Sequence, residues 1–259
     1  HTAYPKATGT YPLVVVAHGF QLASSYYYGY LRRLASFGYV GITVDYPTSM
    51  MGNDNQAQAG DLIQSINWVK TDSTLGSLTD TSNVGMTGHS LGGKLALLAA
   101  SKDARVRASI VLDPIDGGHG GCSGDKCVMV ANLLPSLTIP TAFLGETTDA
   151  TGSFQACAPA STNYTTFFAK ANAPSFEATV LGANHMSFLD DTRSCGITCS
   201  VCRKPAVTNE HVSGLSRAFV VAFYERWLRG NESYDTYLTG SAMRERYIDT
   251  KHITMRLKP

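Results

Sequence analysis

The stretch NVGMTGHSLGGK, residues 83–94, runs from a short apolar segment through a serine set among glycines into the Ala- and Leu-rich segment 91–100. A strand that turns directly into a helix around G-x-S-x-G needs small residues flanking the serine. The turn is sharp, and side chains at Gly88 and Gly92 would collide with it. The serine is then lifted to the end of its strand with its hydroxyl presented. Ser90 is therefore read as a nucleophile, with a packing turn as the alternative.

The same alternation extends in both directions. PLVVVA (12–17), VGITVD (40–45), SIVLD (109–113), PTAFLG (140–145) and FEATVLG (176–182) are dense in Val, Ile, Leu and Thr and read as strands. Most are too continuously apolar to face water. Between them, Tyr27, Tyr30, Leu31 and Leu34 recur at helical spacing, and Leu62, Ile63, Ile66 and Val69 repeat the stripe. Val212, Leu215, Phe219, Ala222 and Phe223 mark a long helix ending before Gly230. Such alternation predicts an α/β fold with a mostly parallel central sheet and helices on both faces. No shift in composition marks a linker, so residues 1–259 are expected to form a single domain. Two irregular stretches, 114–138 and 146–162, follow strands at their carboxyl ends. Open sheets place ligands there, so both are expected to wall a pocket.

Composition narrows the function classes. Hydrophobic residues make up 44% and charged residues 16%, which suits a packed core. Lys and Arg number 21 against 20 Asp and Glu and are dispersed, so no basic footprint for nucleic acid exists. The apolar runs fall far short of the roughly 20 residues a spanning helix needs, and no signal or transit peptide is read from His1 onward. Oligomeric state and peripheral association with a membrane are left open. Six cysteines, Cys122, Cys127, Cys157, Cys195, Cys199 and Cys202, lie in Gly/Ser/Pro-rich segments. An even count there predicts disulfides and an oxidising compartment (secreted, periplasmic or an organelle lumen), with the pairing undetermined. Zinc at CGITCSVC (195–202) is the weaker expectation, because no fourth ligand lies close.

A serine hydroxyl needs a base and an acid to orient it, here in the order Ser, acid, His. His185, in LGANHMSFLDD after the last strand, is the expected base, and His119 is the second candidate. His18 and His89 come too early in the chain and are expected to brace their turns, while His211 is expected on a helix surface. Asp113, Asp116 and Asp149 all fall near strand ends as candidate acids. Asp113 closes SIVLD directly before Pro114, the most rigid of the three settings. The backbone N–H groups of Leu91, at a helix start, and Phe20, in HGF, are the expected oxyanion donors. Leu22, Met129, Leu133, Met186 and Phe188, together with Met50, Met51, Val130 and Leu134, fall in or beside loops. They are candidates either to line an apolar substrate site or to fill the core. The chemistry requires no metal and no cofactor, and its expected partner is a small hydrophobic ester.

Six segments carry a family resemblance: YPLVVVAHGF, LASFGYVGITVDYP, GHSLGGK, VLDPIDG, CAPASTNYTTFFAKANAP and GANHMSFLDD. In order and spacing the chain resembles the chlorophyllases and, more remotely, the platelet-activating-factor acetylhydrolases. The likeness covers most of the chain. It implies the α/β-hydrolase fold and hydrolysis of the phytyl ester of chlorophyll, or a related hydrophobic ester, through an acyl-enzyme. It also implies Asp113 of the DP segment as the acid, His185 as the base and, for a plant-type member, a plastid. Leu91 stands where plant chlorophyllases commonly carry Arg, and NHMSF replaces GHMDM; neither change removes the amide of residue 91. A secreted carboxylesterase, lipase or polyester hydrolase of broad specificity is the alternative expectation. A catalytically silent binding protein of the same fold is the third.

Overall fold

The computed structural model describes residues 1–117, 122, 124–151, 157–193 and 195–259. Eight strands form one sheet: β1 (Thr2–Ala3), β2 (Tyr11–Ala17), β3 (Val40–Ile42), β4 (Thr79–His89), β5 (Val106–Leu112), β6 (Thr141–Glu146), β7 (Ser175–Val180) and β8 (Ile253–Lys258). Their order is β1-β3-β2-β4-β5-β6-β7-β8. Pairing is parallel from β3 through β7, and antiparallel where β1 joins β3 and β8 joins β7. The expected mostly parallel sheet is therefore present, with an antiparallel strand at each edge.

The sequence expectation differs from the structure where strands meet water or leave the sheet. β3 covers Val40–Ile42 of the expected 40–45: the Thr43 N–H still reaches the His1 carbonyl on the β1 side (2.9 Å), and by Tyr46 the main chain has left the ladder, its N–H turned to His18 Nε2 (3.2 Å). β8 is not read from the sequence at all. Only Ile253 of its edge residues ITMRLK is buried, and Arg256 reaches across to Glu177 instead of adding to an apolar pattern.

Six helices matter for the site: α1 (Tyr28–Ser36), α2 (Asn55–Thr71), α3 (Leu91–Ala100), α4 (Tyr164–Lys170), α5 (Gly196–Ser200) and α6 (Asn209–Trp227). Successive β2 side chains alternate between faces. Val14 and Val16 meet α1 and α6 on one side, and Leu13 and Val15 meet α2, α3 and α4 on the other. Every residue of α3 is buried, which explains its all-round Ala and Leu content. Side chains of Asp54, Asn163 and Thr208 cap α2, α4 and α6 by accepting first-turn N–H groups.

From β2 the chain steps outward to β3, then crosses back to β4. The order reverses between β2 and β4, and a crevice forms at their carboxyl ends. His18 and Gly19 leave β2 there, and Ser90 leaves β4. The stretch 114–138 contains short 3-10 turns at Gly124–Lys126 and Val130–Ser136. All six cysteines pair, as Cys122–Cys127, Cys157–Cys202 and Cys195–Cys199, so their sulfurs are not a thiolate set for zinc. The Cys157–Cys202 bridge fastens the chain below β6 to the segment after α5. No helix among the described residues is long and apolar enough to cross a membrane.

Candidate active site

Ser90 sits between β4 and α3 at φ 57° and ψ −123°, a region a side chain enters only under surrounding constraint. The constraint is visible. A Cβ on Gly88 would strike the Gly92 carbonyl, and one on Gly92 would strike the carbonyls of Ala17 and His18. The start of α3 is thus pressed against the end of β2. Asp113, at φ 43° just beyond β5, is a second such residue, held by its N–H to the Leu144 carbonyl at 2.6 Å.

These two turns and the 3-10 turn His185–Phe188 bring three side chains together. His185 Nε2 lies 2.9 Å from Ser90 Oγ, and His185 Nδ1 lies 2.6 Å from Asp113 Oδ2. Ser90 and His185 are 4% exposed and Asp113 is fully buried. A carboxylate, an imidazole and a hydroxyl in this relay can move a proton from oxygen to nitrogen while the ring stays oriented.

The other two candidate acids have different partners. Asp116 accepts the N–H groups of Val130 and Ala131, both at 2.8 Å, and lies 3.6 Å from the buried Lys94 ammonium. It starts the 130–136 turn and balances a buried cation. Asp149 reaches the main chain of His185: its Oδ2 accepts the His185 N–H at 2.9 Å and its Oδ1 accepts the Arg203 N–H at 2.9 Å. The Asp149 N–H is in turn held by Glu146 at 2.9 Å. His119 lies outside the described residues.

Burial raises the pKa values of the carboxyls behind His185. Desolvation pushes Glu146 up to about 8, the charge of Asp113 adds to it, and the amides of Asp149 and Thr148 oppose it. Desolvation also raises Asp113, against the pull of His185.

His18 and His89 make the turn-bracing contacts expected of them. The ring of His18 stacks on Tyr46 at 3.9 Å, its Nδ1 donates to the Gly19 carbonyl at 2.9 Å, and its Nε2 accepts the Tyr46 N–H. The Leu22 N–H also donates to the Gly19 carbonyl (3.2 Å). Because a trans peptide directs its C=O and N–H oppositely, the N–H of Phe20 is turned away from His18. Leu91 is the first residue of α3, and the N–H groups there have no partner within the helix.

The apolar candidates separate. Met129 is 45% exposed and Leu133 is half-buried against the α2, α3 and α4 face. Leu22 and Phe188 belong to the opposite core, and Phe188 has no exposed surface, so it packs under His89 instead of lining an open wall. Met186 is largely buried but borders a cavity of about 270 Å³ with Asn184, Cys199 and Asn209. A cavity of about 390 Å³, walled by Thr141, Ser175, Trp227 and Lys258, opens at the amino ends of β6 and β7, the opposite end of the sheet from Ser90. His211, expected on a surface, has its ring 4.4 Å from that of His252 and is half-buried.

Glu146, Arg203 and Tyr27 were not legible as site residues. Tyr27 reads as one more apolar position of a helical stripe, and the other two contribute through contacts 3 and 54 residues away from Asp149.

A sequence model of the family described as Chlorophyllase matches residues 2–243. Chlorophyllase-2 of Arabidopsis thaliana is 26% identical over 255 residues, which cover 89% of this chain and 77% of that protein. Chlorophyllase-1 of the same plant is 27% identical over 201 residues, 72% of this chain and 62% of that one. Cutinase 1 of Thermobifida cellulosilytica is 32% identical over 113 residues, 43% of this chain and 42% of that protein.

Proposed function

The chain belongs to the chlorophyllase family of α/β-hydrolase-fold carboxylic-ester hydrolases, and from that premise we propose that it works through Ser90, His185 and Asp113 as nucleophile, base and orienting acid. The observation that carries this reading is the pair of contacts from His185, 2.9 Å to Ser90 Oγ and 2.6 Å to Asp113 Oδ2. His185 Nε2 takes the hydroxyl proton as Ser90 Oγ attacks the ester carbonyl. The carbonyl oxygen takes up the negative charge and is received by the N–H groups of Phe20 and Leu91. Asp113 holds Nδ1–H and stabilises the imidazolium. Nε2 then returns the proton to the departing alkoxide and the alcohol leaves; His185 next deprotonates a water that attacks the acyl carbonyl, and hands that proton to Ser90 Oγ as the acid is released.

The substrate we assign is the phytyl ester of chlorophyll or a related hydrophobic ester. Likeness to chlorophyllase-2 along 89% of the chain supports it. Met50, Met51 and Met129 add exposed apolar surface that suits such a substrate. The cutinase likeness over 113 residues supports a second reading, a broader carboxylesterase or polyester hydrolase. Three disulfides favour a secreted protein or an organelle lumen. The whole chain is read as one domain, since β1 and β8, from its two ends, close the same sheet.

Turnover tests the mechanism. Ser90→Ala should lower hydrolysis of a short-chain p-nitrophenyl ester by roughly a thousandfold or more, and a fluorophosphonate should label Ser90 alone. A variant that keeps its rate overturns the nucleophile. Chlorophyll a set against a triacylglycerol and a polyester film then separates the two substrate readings.

A further inference from the structure

Two fully buried side chains join the loop after β2 to the main chain of His185. Tyr27 Oη lies 3.1 Å from the Gly19 nitrogen and 2.8 Å from His89 Nδ1, and His89 Nε2 lies 2.8 Å from the His185 carbonyl oxygen. Both Tyr27 and His89 are fully buried. Chemistry orders the protons along this path. A carbonyl oxygen only accepts, so His89 Nε2 carries a hydrogen. Burial, with the ring of His185 only 4.6 Å away, holds the imidazolium form of His89 far below its ordinary range, so the ring is neutral and Nδ1 is bare. Tyr27 therefore donates to Nδ1, and its oxygen accepts the Gly19 N–H. Each donor meets one acceptor.

We propose that Tyr27 and His89 are positioning residues that tie the Gly19–Phe20 loop to His185 through this single pattern of protons. The inference rests on the roles proposed for Phe20 and His185. If Phe20 N–H receives the oxyanion and His185 carries the proton, the two must keep a fixed separation as charge moves between them. The link supplies it from one side, and Asp149 holds the same His185 peptide from the other at its N–H. His18 fixes the Gly19 carbonyl, so the loop is held at both of the polar groups Gly19 offers.

Ring-nitrogen NMR of the full chain labelled with ¹⁵N-histidine, without substrate at pH 7, tests the proton pattern. The His89 signals are identified by their loss in His89→Gln. The expected result is protonated Nε2 and bare Nδ1; a proton on Nδ1 alone overturns the link. The second arm is kinetic, on a p-nitrophenyl ester. Tyr27→Phe and His89→Leu should each lower kcat about tenfold with KM within about twofold, and the double variant should be no worse than the poorer single one. His89→Gln, whose amide nitrogen can donate to the His185 carbonyl while its oxygen accepts the Tyr27 hydroxyl, should recover kcat to within about threefold of the parent. Losses that multiply in the double variant, a change confined to KM, or a His89→Gln protein no better than His89→Leu would each overturn the proposal. The NMR result stands apart from the esterase reading: if Ser90→Ala retains activity, that reading fails while the assigned ring protons remain.

Discussion

Three aspartates offered by the sequence acquire three different settings at the residue scale. Asp113 meets a ring nitrogen of His185, Asp149 meets its main-chain N–H, and Asp116 meets a buried ammonium and two amides. Substitution separates the first two. Asp113→Asn presents an amide group to Nδ1 and favours the wrong ring tautomer, so kcat should fall roughly a thousandfold or more with KM little changed. Asp149→Asn keeps one acceptor for two N–H donors and turns an NH₂ toward the other. Its kcat should fall about ten- to a hundredfold, the milder loss, since geometry is disturbed while the ring keeps its carboxylate. Steady-state kinetics of the two variants decides the matter, and the reverse order would make Asp149 the acid. Sequence reasoning ranked Asp113 first because Pro114 stiffens its strand end. It had no means of seeing that Asp149 returns to the backbone of His185, 36 residues away.

Elements were legible in proportion to how fully they are buried. β2, β5 and β6 are nearly continuous apolar runs, and β2 and β6 each lie within two residues of their expected starts, while β8 escaped notice as a charged edge. The elbow between β4 and α3 was readable because close packing there leaves no room for a side chain, and glycine is the one residue that records this locally. Disulfide pairing was not readable. The Cys157–Cys202 bridge spans a separation of 45 residues and closes directly beside Asp149 and Arg203. Loop-closure entropy for that span is worth about 4 kcal/mol. A Cys157→Ser/Cys202→Ser variant should therefore lose several kcal/mol in denaturant unfolding. Its kcat should also fall, because the Arg203 end of the Asp149 clamp is loosened. The same variant with parental stability and activity would show that the clamp stands without the bridge.

At the scale of the whole molecule, the site burdens the fold with buried carboxyls, and pH exposes the burden. Glu146, raised from 4.5 to about 8, holds in the folded state a proton that the unfolded chain has already released. Its contribution is fully present below about pH 4.5 and is lost as pH rises through about 8. Below pH 6.5 the buried rings of His18 and His89, which resist protonation, act in the opposite direction, so the interval above neutrality reads Glu146 more directly. Denaturant unfolding at pH 7.0 and 8.5 should show the parent losing about 1 kcal/mol more than Glu146→Gln. Equal losses would place the proton elsewhere. The sequence by itself determined the α/β alternation, the serine elbow, the early histidines as turn braces and a paired set of cysteines. Each of these is written in residues that are neighbours along the chain or repeat with the period of a helix or strand. Only the tertiary structure decided which cysteines join, which core takes Phe188, and how Asp113, Asp149 and His89 divide the holding of His185. Those holding contacts join residues 36 to 96 positions apart, where distance in space is set by the order of strands in the sheet and leaves no trace in local pattern.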